Sequence, residues 1–522
     1  MSIHLNRTKN TLNNIAFGFI HKTIALLFPF ITRTVLIYHL GTEYLGLSSV
    51  FSSVLQVLNL AEFGFGNAIV FCLYRPIAEQ NNDLVCLYLE MLRKVYRYIG
   101  LIIMAVGVLL IPVLPFFIKN QILPDGSNLY ICYSFFLFDS SISYLLYGYK
   151  VVLPQAMQRL DLLNKIDIGI VAGKSLFQIG VILAFKSYYV FLLIAPVFTI
   201  VRNLMISWLI DQRYPQYKPS GVLPANRRKE LLTIVKGIAI GKICIASRNG
   251  IDGICLSAFL GLKVAAIYNN YYYLMNAVVA VSMIFCTSVM SGVGNSIVTE
   301  SKEKNYTVMK RLEFVYMTMA GWASICLLCL YQPFMKLWMG NERMLGMPEV
   351  ILFVIYFYLL KMGDLRWIYQ ECAGLWWDCR HVTLVETIVN LVLNIILGKK
   401  YGVFGILLAT DVSMLLINFF GSAKIVFFRY FGRNNQKEYF ISHLQYFLIN
   451  AIIMLVTYIS SSSMIEWLCI ESFIFRVLVY TITCLLIPAT LYWLVYRKTE
   501  KLVYWIKWLK TQKFHVGKIK LY

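Results

Sequence analysis

The chain has 522 residues, of which 59% are hydrophobic and only 14% are charged, and its mean hydropathy is +0.67. Because soluble proteins carry roughly a quarter of charged residues, this composition excludes a soluble globular protein and predicts an all-α polytopic membrane protein. A net charge of +22 would suggest a nucleic-acid partner in a soluble protein. In a membrane protein, basic loops that orient the spans explain the charge, so we expect no nucleic-acid binding.

Apolar runs of about 20 residues recur along the whole chain, and each is long enough to cross the hydrocarbon core of a bilayer. They predict fourteen transmembrane helices at residues 12–38, 44–73, 95–118, 127–149, 166–185, 188–211, 232–260, 264–298, 309–335, 349–374, 382–398, 402–427, 440–461 and 470–496. The first run is too long for a signal-peptide core and is followed by further spans, so we expect it to be retained. The short stretch 382–398 is expected to be kinked or partly interfacial.

The lysines and arginines predict the orientation. If the N terminus is cytoplasmic, thirty of the 48 cations fall in inside segments and seven in outside loops. Inside loops of membrane proteins carry the excess of positive charge. This distribution predicts an even number of spans with both termini in the cytoplasm.

A short repeat predicts an internal duplication. Residues 64–70 read GFGNAIV and residues 292–298 read GVGNSIV, with five of seven positions identical. Each copy lies at the end of the second long apolar segment of its half of the chain. Two homologous lobes around a midline cavity are common in secondary transporters. We therefore predict two pseudo-symmetric six-helix lobes followed by two appended helices.

The longest inside loop contains Pro215, Pro219 and Pro224 and then a basic run, which is typical of a linker between lobes. The tail alternates lysines with apolar residues and is expected to lie on the anionic inner leaflet as an amphipathic helix. The predicted organisation is an N-lobe at 1–211, a cytoplasmic linker at 212–231, a C-lobe at 232–428, appended helices at 429–496 and a basic amphipathic tail at 497–522.

The twelve cysteines lie in apolar segments, and the CxxC spacing of Cys326 and Cys329 falls inside a predicted span rather than in a soluble loop. We therefore expect neither disulfides nor a metal site. No GxxxxGK[ST] motif is present, so the chain is not expected to use ATP, and no cofactor is predicted.

Several segments resemble a known family. Residues 59–66 (NLAEFGFG) followed by 73–76 (LYRP) are similar to the second span of Wzx-type polysaccharide flippases, and residues 267–271 (IYNNY) with Gly294 and Asn295 are similar to their eighth span. The pattern Glu386, Asn390, Asn394, Gly402, Gly405, Ala409 and Thr410 resembles their eleventh and twelfth spans.

That family belongs to the multidrug/oligosaccharidyl-lipid/polysaccharide exporter superfamily. The resemblance implies two six-helix bundles, alternating access and export of undecaprenyl-pyrophosphate-linked oligosaccharide repeat units for surface polysaccharide. It implies a transporter rather than an enzyme, in the bacterial cytoplasmic membrane, with the lipid-linked substrate, membrane lipids and other polysaccharide-assembly proteins as partners.

Four cations inside predicted spans are the candidates for binding the substrate pyrophosphate. Lys22 and Arg33 are eleven residues apart and share one face of the first span. Lys242 corresponds to Lys22 at an offset of 220 residues, and Arg248 follows it. Arginine grips phosphate oxygens in a bidentate manner and lysine supplies a point charge. The alternative is that each cation pairs with a nearby acid, as Arg248 would with Asp252 at i+4.

Other polar residues within spans have two interpretations each. Glu62 would bind a coupling cation or proton, or would neutralise Arg33. Tyr268 and Asn269 would hydrogen-bond a sugar or a neighbouring helix. Asp364 and Glu371 would form ion pairs inside the bundle or contact the sugar.

Two rival functions share the hydropathy pattern. A multidrug or cation antiporter of the same superfamily would usually have twelve spans and fewer cavity cations. A membrane-embedded polysaccharide polymerase or glycosyltransferase would need a large external loop, whereas the longest predicted outside loop has about a dozen residues.

Overall fold

A computed structural model describes residues 7–118, 124, 127–157, 159–468 and 472–505. Within these ranges it describes every side chain except those of residues 7–16, 78, 237–238, 240–249, 288, 291, 295, 298 and 376. The α-helices are α1 (Arg7–His39), α2 (Thr42–Leu58), α3 (Phe65–Ala78), α4 (Asn82–Leu109), α5 (Leu129–Leu145), α6 (Val152–Ala156), α7 (Leu160–Phe185), α8 (Tyr188–Arg213), α9 (Ala225–Leu260), α10 (Leu262–Thr299), α11 (Lys302–Met339), α12 (Met347–Cys372), α13 (Trp376–Ser413), α14 (Phe420–Val426), α15 (Asn434–Trp467) and α16 (Phe473–Tyr496).

The predicted all-α class is confirmed, since the described ranges contain helices and connecting turns but no strand. Nine helices or merged helices in these ranges are long and apolar enough to cross a membrane, and eleven if each sharply bent pair counts as one span. These features make the chain a multi-pass membrane protein. The count of fourteen spans and the side on which the termini lie stay predictions.

The second predicted span is broken in the middle. A 3₁₀ turn at Asn59–Glu62 separates α2 from α3, and Phe63 and Gly64 both adopt left-handed backbone conformations, with φ of 48° and 78°. Left-handed φ is costly for a residue with a side chain, so Phe63 must be held by its surroundings. Glu62, the candidate coupling residue, ends this turn.

Two further spans bend sharply. A 3₁₀ segment at Ile111–Phe117, which contains two prolines, leaves α4 at 63°, and the segment Gly148–Ala156 leaves α5 at 60°. Proline removes a backbone donor and clashes with the preceding turn, which explains the first bend.

The eleventh and twelfth predicted spans are separated by a break within α13. It lies at Gly402, where a φ of 62° and a ψ of −135° are not helical, in agreement with the predicted boundary between 398 and 402. Only glycine adopts such a conformation without strain. After α13 the path continues as π-helix at Met414–Phe419, α14, and π-helix at Phe427–Phe431. Single π-helical turns often occur at functional sites.

The described residues group into two compact units. The first contains residues up to Asn269 together with Thr387–Gly402, and the second contains Asn270–Glu386 and the residues from Val403 onward. The lobe boundaries given by the sequence, at 211 and 232, stay a prediction.

In the first unit α1 lies along α7, and α2 packs closely against α9. A Cβ atom on Gly253 of α9 would lie 2.3 Å from Ser53 Oγ of α2, and one on Gly46 would lie 2.2 Å from the Leu262 carbonyl oxygen. Small residues permit this close approach of helices, which is a common packing device in membranes.

In the second unit α11 packs against α12, α15 and α16. Asn450 of α15 connects all four helices, because its amide donates to the Met317 carbonyl and to Tyr358 Oη at 3.2 and 3.0 Å. Tyr492 of α16 donates to Asn450 Oδ1 at 2.7 Å. The side chain of Asn450 lies directly over Gly321 of α11, where no larger residue would fit.

Candidate substrate-binding and ion-coupling residues

Lys22 and Arg33 lie on one face of α1, as their spacing predicts. Helical rise places them about 16 Å apart along the axis. Lys22 is exposed and makes no hydrogen bond or ion pair with any residue in the described ranges, whereas Arg33 is half-buried. An exposed lysine without an acid partner is free to bind an anion.

Lys242 and Arg248 lie within α9, but their side chains are outside the described residues. Their predicted role in binding the substrate therefore stays a prediction, as does the correspondence between Lys22 and Lys242. Asp252, which the sequence offers as a partner for Arg248, is buried and accepts a hydrogen bond from Asn394 Nδ2 at 2.6 Å. Asn394 also donates to Asn390 at 3.3 Å.

Glu62 connects two elements of the first unit. Its Oε1 accepts a hydrogen bond from Tyr96 Oη of α4 at 2.9 Å and one from the Gly66 backbone N–H in the first turn of α3 at 3.2 Å. A carboxylate at this place satisfies an unpaired N–H of the helix start and interacts favourably with the helix dipole. The sequence alone did not indicate Tyr96, because nothing in the spacing of the two residues places them together.

Tyr268 and Asn269 lie in the first turns of α10. Tyr268 is buried, and the Asn269 amide donates to the Ala265 carbonyl of its own helix at 2.8 Å. The neighbouring Tyr271 is fully buried and donates to Gln332 at 3.0 Å. Tyr271 thus joins α10 to α11, whereas both interpretations of Tyr268 and Asn269 stay open as predictions.

Three charged pairs in the described ranges neutralise cations within helical spans. Arg202 of α8 makes a bidentate contact with Asp167 of α7, at 2.5 and 3.1 Å. Lys150 Nζ, which is nearly buried, contacts the carboxylate of Asp211 at 2.6 Å. The Asp167–Arg202 pair was missed at the level of sequence, where the only signal is one charge in each of two adjacent apolar helices.

The third pair belongs to α12. Lys361, which is 2% exposed, donates to Asp364 at 2.6 Å, and Tyr316 of α11 donates to the same carboxylate oxygen at 2.5 Å. This supports the ion-pair interpretation of Asp364. Arg366, two residues after Asp364, donates instead to the Phe419 carbonyl at 2.8 Å and to Asn418.

A basic pocket of about 580 Å³ lies in the second unit around α14 and the π-helical turn that follows it. It is lined by Asp378, Lys424, Ile425, Phe428, Arg429, Arg433 and Gln436. Arg429 pairs with Asp378 at 2.9 Å, and the guanidinium of Arg433 lies 4.5 Å from the centre of the Phe428 ring. The pocket is therefore suited to an anion.

The long apolar helices define a class, that of multi-pass helical membrane proteins. Comparison with solved structures specifies it further. The lipid II flippase MurJ in an inward closed conformation has a TM-score of 0.65 at 14% identity, over 93% of this chain and 99% of that one.

MATE transporters share the fold as well. An inward-facing multidrug resistance MATE family transporter of the MOP superfamily has a TM-score of 0.61 at 11% identity, over 77% of this chain and 94% of that one. A mutant of the Vibrio cholerae MATE transporter VcmN has a TM-score of 0.57 at 12% identity, over 80% of this chain and 97% of that one. No protein-family model and no curated protein matches the sequence.

At these identities the likeness establishes the fold alone. The chain thus shares the fold of these proteins, while its place in their superfamily and its assignment to polysaccharide flippases stay predictions.

Proposed function

We propose that this protein is a flippase that moves undecaprenyl-pyrophosphate-linked oligosaccharide repeat units across the bacterial cytoplasmic membrane by alternating access. The observation that carries the proposal is the extent of the structural match. The lipid II flippase accounts for 93% of this chain, whereas the two MATE transporters account for 77% and 80% although nearly all of their own residues are matched. The flippase of a lipid-linked substrate thus matches 13–16% more of this chain than the drug transporters do, from 93% against 80% and 77%.

The charge of α1 supports the same proposal. Lys150, Arg202 and Lys361 are each neutralised by a carboxylate, but Lys22 is exposed and has no partner in the described ranges. We propose that Lys22 and Arg33 line the substrate cavity and bind the pyrophosphate, together with Lys242 and Arg248. Such cations would repel the cationic drugs that an antiporter exports.

The membrane potential is a sufficient energy source for this reaction. An inside-negative potential favours outward movement of an anion by roughly 2.3 kcal/mol per charge per 100 mV. A pyrophosphate with about two charges would therefore be driven outward without a second ion. Export of repeat units in this way would serve surface polysaccharide assembly, with enzymes of that assembly as partners.

The direct test is translocation of a fluorescent lipid-linked oligosaccharide in proteoliposomes, compared between the wild type and the variants Lys22→Ala and Lys242→Ala. Lys263→Ala is the matched control, because Lys263 is exposed at the start of α10 and is not among the proposed cavity cations. We expect loss of translocation in the first two variants and normal translocation in the control.

The same vesicles decide between the flippase and the antiporter. Gradient-driven export of a cationic dye without movement of the lipid-linked sugar would overturn the proposal in favour of a drug antiporter. Full translocation by the double variant Lys22→Ala/Lys242→Ala would leave the flippase in place but remove these lysines from its binding site.

A further inference from the structure

A line of titratable side chains follows one face of α11. Tyr306, Lys310, Glu313 and Tyr316 are spaced at i, i+4, i+7 and i+10, which places them on a single helical stripe. Three of the four are buried, with exposed fractions of 5% for Tyr306, 3% for Glu313 and 1% for Tyr316. The stripe runs into the interior of the second unit, where Tyr316 meets Asp364 and Lys361.

Glu313 differs from the other three residues of this stripe because its side chain has no partner among the described residues. It makes no hydrogen bond and no ion pair within the described part of the chain, and its Oε1 is fully enclosed. Burying an ionised carboxylate without a partner costs far more than burying the neutral acid. Gaining a proton removes most of this cost.

The cations nearest to Glu313 have other partners. Lys501, Arg366 and Lys310 act on it electrostatically, as does the acid Glu438. Lys501 donates to Tyr446 Oη at 2.8 Å, Arg366 donates to the Phe419 carbonyl at 2.8 Å, and Lys310 contacts Glu438 at 3.0 Å. The cations around Glu313 are therefore bound to other groups, and the negative charge of Glu438 offsets part of their attraction for the Glu313 carboxylate.

Hydroxyl and imidazole groups complete the surroundings. Four tyrosines interact electrostatically with Glu313: Tyr306 of α11, Tyr369 of α12, and Tyr439 and Tyr446 of α15. From α16 the ring of Tyr496 packs on Phe314, the residue next to Glu313.

Two buried polar atoms of α15 also lack hydrogen-bond partners in the described ranges, namely Tyr439 Oη and His443 Nε2. Buried polar groups normally have partners, so a group of unpaired atoms in one core indicates a place for a proton or an ordered water.

Glu438 gives this core access to water. Its side chain is 51% exposed and binds both Lys310 Nζ and Tyr306 Oη, at 3.0 and 3.1 Å. Lys310 lies one turn before Glu313 on α11. Glu438 thus places a water-accessible carboxylate against the two residues of the stripe that precede Glu313.

We propose that Glu313 is a proton-binding site of the second unit. Its proton exchanges with water at the end of α11 where Glu438 of α15 contacts Tyr306 and Lys310. Hydronium gives its proton to the Glu313 carboxylate and leaves as water, so the reaction needs no other reactant. The site goes beyond the proposed flippase function, because it gives the fold a means of responding to a proton gradient whatever substrate is carried.

Infrared spectroscopy of the purified full-length protein tests the site without any transport assay. In the wild type at neutral pH we expect a C=O stretching band of a protonated carboxylic acid, shifted by exchange into deuterium oxide. The band should be absent from Glu313→Gln and present in Glu303→Gln, an exposed acid at the start of the same helix. In Glu438→Gln it should remain but exchange more slowly.

Gln is isosteric with the protonated acid, so Glu313→Gln should also fold with the thermal stability of the wild type. If it does not fold, Glu313→Asp keeps the acid and should displace the band rather than remove it. Identical carboxylic-acid spectra for the wild type and Glu313→Gln at every pH, or an unmoved band in Glu313→Asp, would overturn the proposal.

Discussion

Glu62 provides the sharpest test of whether an acid within a span of this fold is structural or couples an ion. Its Oε1 accepts two hydrogen bonds, from Tyr96 Oη and from the Gly66 N–H. Glu62→Ala removes both and leaves the Tyr96 hydroxyl, in a side chain that is only 9% exposed, without an acceptor. Each bond contributes about 1 kcal/mol net, so we expect a loss of about 2 kcal/mol in the free energy of unfolding.

Glu62→Gln separates shape from charge. Gln keeps the Oε1 acceptor in the same place, so both hydrogen bonds survive and the expected loss is less than about 1 kcal/mol. Tyr96→Phe removes only one of the bonds and should fall between the two. Glu79→Ala is the control, because Glu79 is exposed and contacts only Arg75 at the other end of α3.

The measurements are thermal unfolding in detergent and translocation in proteoliposomes with an imposed proton or sodium gradient. If Glu62 acts as the cap of α3, Glu62→Gln unfolds and transports like the wild type at every gradient. If it couples an ion, Glu62→Gln is stable but no longer responds to the gradient. A Glu62→Gln variant as unstable as Glu62→Ala would refute the hydrogen-bond argument itself.

The remaining predictions concern packing within each unit. Asn450→Ala should lower the free energy of unfolding by about 2 kcal/mol, because side-chain hydrogen bonds between membrane helices contribute about 0.6 kcal/mol each and a buried space is left. The measurement is thermal unfolding, with the exposed Asn434→Ala as the control. A loss no greater than that of the control would contradict the role of Asn450 in joining four helices. Asp167→Asn should lower the free energy of unfolding by about 1–3 kcal/mol, because Arg202 loses its charge partner. The double variant Asp167→Arg/Arg202→Asp should recover part of this loss. Equal stability of the single and double variants would argue against the pair. Gly253→Leu should cost about 1–3 kcal/mol by overpacking the contact with α2, and unchanged thermal stability would show that this contact is loose.

Hydropathy located the helices well because each long apolar run must be helical to satisfy its backbone in a membrane. Each of the fourteen predicted stretches is mostly helical over the residues that the structure describes. The interruptions were harder to predict. The break after α2 depends on left-handed Phe63 and Gly64 and on the Glu62 side chain, and that combination leaves no periodic signal in the sequence.

At the candidate site, too, the spacing of residues along one helix could be predicted, whereas contacts between helices could not. The shared face of Lys22 and Arg33 follows from helical spacing alone, and α1 confirms it. The partners of Asp364 lie on two helices, Lys361 on α12 and Tyr316 on α11, so the sequence alone did not identify them. Glu313 was not singled out among the acids, because burial without a partner is a property of the packed core.

The length of α11 has a consequence for the membrane in which the protein works. After its charged first turns, residues 312–339 continue as 28 residues of helix, which is about 42 Å of rise. This exceeds a hydrocarbon core of about 30 Å, so α11 must tilt or extend into the headgroup region. Lipid composition would then change its angle, and with it the depth of every residue on the helix. The protein is therefore expected to be sensitive to bilayer thickness and to prefer membranes that match its longest helices.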